Sequence, residues 1–97
     1  VSLYRVLGVS PQASEEELRV AYRARVRALH PDLHGNTEAA HLTFLELQAA
    51  YELLSDPARR EAYDRAPELA GEALARMLEE RRAQLSRRRR RLRRLYE

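Results

Sequence analysis

No regular helix can run through Pro31. A stretch of helical period opens at Ser14 and sets Leu18, Tyr22, Val26 and Leu29 on one face, with Ala21 alongside. Pro31 has no amide hydrogen to donate and disfavours helical backbone at the residue before it, so that helix has to end near His30. Gly35 and Asn36 follow at once, and a second apolar series, Ala40, Phe44, Leu47, Tyr51 and Leu54, resumes the same period beyond them. Two amphipathic helices joined by so short a polar loop close into an antiparallel hairpin, with His30, Pro31 and Asp32 at its tip.

The remaining punctuation is of the same kind. Gly8, Pro11, Pro57 and Pro67 divide the chain into stretches that are helical in period, and none alternates as a strand would, so the expected fold class is all-α. "SLYRVLG" reads as a short first helix with Ser2 as its cap and Gly8 as its stop. Ser14 and Glu17 have the spacing of a capping box for the second helix. Asn36 or Thr37 is placed to cap the third, and Asp56 followed by Pro57 opens a fourth, "ARREAYDR".

Charge divides the chain in two. Every one of the 18 basic residues is arginine; residues 1–65 hold eight against ten acids, net −2, and residues 66–97 hold ten against five, net +5. Two units are therefore expected, 1–65 and an arginine-rich C-terminal helix over 66–97. In the second helix Arg19, Arg23 and Arg27 step by four into a stripe beside the apolar face. Arg25 falls inside the apolar arc, so its stem is expected to lie on neighbours while its guanidinium reaches water or an acid. In the tail, Leu78, Leu85 and Leu92 recur every seven residues, with Leu74 and Leu95 at intermediate seam positions; Arg81 and Arg88 interrupt this weak heptad. On the third helix Leu42, Leu45, Ala49 and Leu53 form a second apolar stripe. Either the tail folds back on it through Leu74, Met77, Leu78 and Leu85, or the tail stands free and solvated. Arg87, Arg88, Arg89, Arg90, Arg91, Arg93 and Arg94 put like charge on all sides of a helix and form a candidate anion-binding segment. Of RNA, DNA, an anionic membrane face and an acidic protein, non-specific nucleic acid fits best.

Several functions are disfavoured. The chain has no cysteine, which removes disulfides, thiolate metal sites and cysteine nucleophiles. His30, His34 and His41 lack the spacing and carboxylates of a metal shell, so no metal and no cofactor is expected. No glycine loop cradles a phosphate and no serine has a positioned base, so the chain is not expected to be an enzyme. No apolar run approaches a membrane span, which points to a soluble, cytoplasmic protein. The chain starts at Val1 rather than methionine, as a trimmed or processed protein would. Oligomeric state is left open.

Two long stretches, "LYRVLGVSPQASEEELRVAYRARVRALHPD" and "FLELQAAYELLSDPARREAYD", resemble the J-domain, the co-chaperone module of DnaJ-like proteins, over roughly the first two-thirds of the chain. The L-G-V start, the A-Y-R of helix two, the H-P-D corner, the A-Y-E-L-L-S-D end of helix three and the Y-D finish carry the likeness in order. The resemblance implies that Arg19, Tyr22, Arg23 and Arg27 dock on an acidic surface of a DnaK-type chaperone of the seventy-kilodalton heat-shock class. It implies that His30, Pro31 and Asp32 then trigger that partner's ATP hydrolysis. The alternative function is a basic nucleic-acid or ribosome tether that keeps the J-like fold as scaffold; a third is an assembly adaptor whose tail pairs with another coil. Leu33 stands where the family usually has a basic residue, Arg25 where it commonly has leucine, and Ala24 and Ala28 where it has basic residues. No Gly/Phe-rich linker or cysteine-based zinc module follows within these 97 residues.

Overall fold

The computed structural model describes residues 2–95, the side chain of Ala70 excepted, and five α-helices run through them: α1 (Leu3–Leu7), α2 (Glu15–Leu29), α3 (Glu38–Ser55), α4 (Pro57–Arg65) and α5 (Pro67–Leu95). A single 3-10 turn, Pro31–Leu33, lies between α2 and α3. The fold is all-α, as the unbroken helical periods require.

Helix ends follow the capping residues. The Ser14 hydroxyl accepts from the Glu17 amide (3.1 Å), and the Glu17 carboxylate turns back to that same hydroxyl (3.2 Å). Thr37, rather than Asn36, caps α3 by accepting from Ala40 N–H (3.1 Å). Asp56 caps α4 by accepting from the Ala58 and Arg59 amides. Ser2 departs from expectation, because its side chain makes no capping bond. The Leu3 amide instead donates to the Tyr63 phenol, sixty residues on, at 3.1 Å. A tertiary contact thus satisfies one of the amides that a helix start leaves without a partner.

Leu3, Leu7, Leu18, Leu47 and Leu54 are each sealed from solvent, and Tyr4, Ala13, Ala49, Ala50, Leu53, Tyr63 and Leu74 complete the buried core. α3 is the central element, in contact with α1, α2, α4 and α5. Half-buried Tyr22, Val26 and Leu29 of α2 and Phe44 and Tyr51 of α3 zip the hairpin beyond that core. Tyr22 and Tyr51 stack face to face, 4.2 Å between centroids and 4° apart in plane.

Arg25 has no acid partner among the described residues and is exposed, so of the two expected outcomes its guanidinium meets water. Its guanidinium lies against Gly8, the left-handed residue that ends α1 (φ 73°), so closely that a β-carbon there would collide with it. The left-handed backbone is what calls for glycine at position 8, since the exposed Arg25 guanidinium is free to swing aside from a larger residue. Arg60 is the principal polar tie. Its Nη2 donates to the carbonyls of Pro11 (3.1 Å) and Ala13 (2.5 Å), and its Nε to the Tyr4 phenol (3.2 Å), which in turn donates to Asp64 (2.6 Å).

α5 lies against α3 and α4. Leu74 is buried, Met77 and Leu78 pack on the core, and Arg81 is hydrogen-bonded to Glu52 of α3. Beyond that the leucine seam leaves the body: Leu85 is half-buried, Leu92 and Leu95 exposed. Leu42 and Leu45 of the second α3 stripe are likewise only half-buried, whereas Ala49 and Leu53 are covered.

Candidate functional site

The corner at Pro31 is a built turn. His30 leaves α2 with φ −56° and ψ 132°, the extended conformation that a following proline favours. Pro31 itself is buried, and its carbonyl accepts from both His34 N–H (3.0 Å) and Asn36 N–H (2.8 Å). Gly35 and Asn36 then take left-handed backbone (φ 74° and 56°), which turns the chain into α3. Two further bonds tie the loop to the helices: the His34 ring to the Ala28 carbonyl (2.9 Å) and the His41 ring to the Asn36 side chain (2.8 Å).

These constraints fix the positions of His30 and Asp32. The His30 ring meets the edge of Phe44 on α3, 5.5 Å between centroids. Its Nδ1 accepts from the Asp32 amide at 3.3 Å, an arrangement that leaves Nε2 carrying the proton in the neutral ring. The Asp32 carboxylate stands 3.6 Å from that same Nδ1 and is 74% exposed. It is held beside a half-exposed imidazole with its lone pairs open to solvent, suited to accept from a donor on another molecule.

On α2, Arg19, Arg23 and Arg27 are all exposed. Arg19 is already engaged by Glu16, at 2.5 and 2.7 Å to the two carboxylate oxygens, and that hydrogen bond raises the pKa of its guanidinium. Arg23 and Arg27 have no carboxylate partner among the described residues. Tyr22 sits apart from the arginines in environment, since its ring is spent on Tyr51 and burial pushes its phenol pKa up. The seven tail arginines lie on α5, on a different element from the loop. Among the described residues no cluster of three histidines or carboxylates is placed to hold a metal ion.

The role of Phe44 was not evident from sequence, where it reads as one more apolar position on α3. Its helical phase gave a face but not the height along the hairpin at which it meets His30.

Residues 2–64 match the profile of the DnaJ domain. The chain belongs to the DnaJ domain family. It is 51% identical over 63 residues to the chaperone protein DnaJ of Thermosipho africanus and 46% identical over 65 residues to that of Rhodobacter capsulatus, matches that cover 64% and 67% of this chain. Each match spans 17% of the relative's own length. Among solved structures, the J-Trx1 fragment of ERdj5 superposes with a TM-score of 0.65 at 41% identity, over 70% of this chain and 33% of that one. The DnaJ domain match thus covers α1 to α4 and stops before α5. No helix among the described residues is long and apolar enough to cross a membrane.

Proposed function

We propose that this J-domain is a co-chaperone that binds a DnaK-type chaperone and stimulates its ATP hydrolysis. Arg19, Tyr22, Arg23 and Arg27 form the docking ridge, and His30, Pro31 and Asp32 deliver the trigger. The hydrolytic chemistry is the partner's, and the reaction belongs in the cytoplasm, where such a partner and ATP are found together. The observation that carries the reading is the outward Asp32 carboxylate, 74% exposed on a loop whose backbone is pinned on both sides. A carboxylate so held pays little ordering entropy on binding and can accept a forked pair of hydrogen bonds from a partner arginine. Arg23 and Arg27, exposed and without an acid partner among the described residues, supply the long-range attraction to an acidic surface that speeds encounter.

Single-turnover ATP hydrolysis by a bacterial DnaK, with the parent chain and with Asp32→Asn, tests this. The amide keeps size and loop geometry but replaces one acceptor oxygen with a donor and removes the charge. Stimulation is expected to fall by at least about tenfold, the loss of one charged hydrogen bond of about 1.5–3 kcal/mol. Equal stimulation by both proteins would reject the trigger.

A further inference from the structure

The geometry points to a second binding site, on α5 beyond Arg81: a grip for double-stranded nucleic acid, held through its phosphates and indifferent to base sequence. Seven arginines fall in the eight residues 87–94 of a continuous helix. At about 1.5 Å of rise per residue they put one positive charge on each ~1.7 Å of axis. A nucleic-acid duplex carries one negative charge per ~1.7 Å of its own axis. The two rods are matched in linear charge density.

Among the described residues nothing in the tail neutralises that charge. No acid occurs between Glu80 and Glu97, and among the described residues none of the seven arginines is in an ion pair. Arg87, Arg90, Arg91 and Arg94 line one concavity of about 320 Å³ on a single helix face. Arg88, Arg89 and Arg93 complete the circumference at 100° per residue, so the helix is positive on every side. A helix of this kind, about 10–12 Å across, enters the major groove of B-form DNA, about 12 Å wide with phosphates along both walls, whereas the deep, narrow major groove of A-form RNA leaves it to lie along the backbone.

The same features disfavour other anions. Leu85 and Leu92 share their side of the helix with Arg88 and Arg89, so there is no uninterrupted apolar face to sink into a lipid surface. The arginine run contains no aromatic side chain, and Tyr96 beyond it is a single ring where unpaired strands are held by several in succession, which favours duplex over single strands. The tail also lies outside the part of the chain that matches the DnaJ domain, so the site is independent of the co-chaperone reading.

Fluorescence anisotropy with a labelled 30-base-pair duplex of arbitrary sequence, in DNA and RNA forms, tests the site across 50–200 mM salt. If four to seven phosphates are covered, log K falls against log[salt] with a slope of about −4 to −6, and affinity drops by about 250-fold to 4,000-fold over that range. Replacing Arg87, Arg90, Arg91 and Arg94 together by glutamine, a residue of similar helix propensity, should make the slope shallower by about 3.6. The Arg76→Gln/Arg82→Gln pair on the same helix is the control and should bind nearly as the parent. Unequal binding of the DNA and RNA forms would identify which duplex geometry accommodates the helix, and binding to either supports the site. The proposal is overturned by a quadruple variant that binds as the parent does. It is equally overturned if polyglutamate or phosphatidylserine vesicles displace the probe at lower charge concentration than unlabelled duplex.

Discussion

Arg60→Lys is the perturbation that most directly tests what holds the four-helix body together. Arg60 sits on α4, yet its three hydrogen bonds reach the Pro11 and Ala13 carbonyls and the Tyr4 phenol, contacts separated by 47 to 56 residues in sequence. A lysine keeps the charge but offers one ammonium where the guanidinium offers a planar fork, and it loses the Nε bond to Tyr4 and one of the two carbonyl bonds. At about 1 kcal/mol for each bond in a half-exposed position, the loss is about 2 kcal/mol. For a body of this size that lowers Tm by about 8–16 °C. The assay is thermal unfolding followed by circular dichroism, with Arg59→Lys as the control. Arg59 is exposed and only 3.9 Å from Asp56, a surface pair whose replacement should cost less than about 0.5 kcal/mol. A Tm for Arg60→Lys within about 3 °C of the parent, or equal losses in the two variants, would refute the assignment of Arg60 as the tie.

Two further outcomes follow from packing and titration. Leu74→Ala removes the one buried side chain among the described residues of α5 and should weaken its docking by about 2 kcal/mol, so that amides of residues 74–81 exchange with solvent about thirtyfold faster. Unchanged exchange in the variant, or parent amides exchanging as fast as an unstructured peptide, would count against docking. Burial raises the phenol pKa of Tyr4 and Tyr22 above the ordinary 10.0. The folded state therefore holds those protons more tightly than the unfolded chain. That contribution is intact below pH 10.0 and is lost as pH climbs through the raised values. Tm measured from about pH 9 to 11.5 should fall, and fall less steeply in Tyr22→Phe; parallel slopes would show that Tyr22 is not one of the groups responsible.

The helices, most of their caps and the corner are written in short-range sequence. Pro31 ends α2, Ser14 and Asp56 cap, and the apolar periods choose the faces, because each of these depends on neighbours within about four residues. The H-P-D corner and its exposed carboxylate were legible for the same reason. Three things had to wait for the tertiary structure. Tyr63 accepts from the first amide of α1 while the Ser2 side chain makes no capping bond, the exposed Arg25 came to rest beside Gly8, and His30 took its orientation from Phe44. Each joins residues far apart in the chain, and helical phase tells which way a side chain faces but not how far one helix has slid along another. The tail shows the same division: its charge density is written in residues 87–94, but only the packing of Leu74, Met77 and Leu78 decides that α5 is anchored at one end while its arginines project from the other.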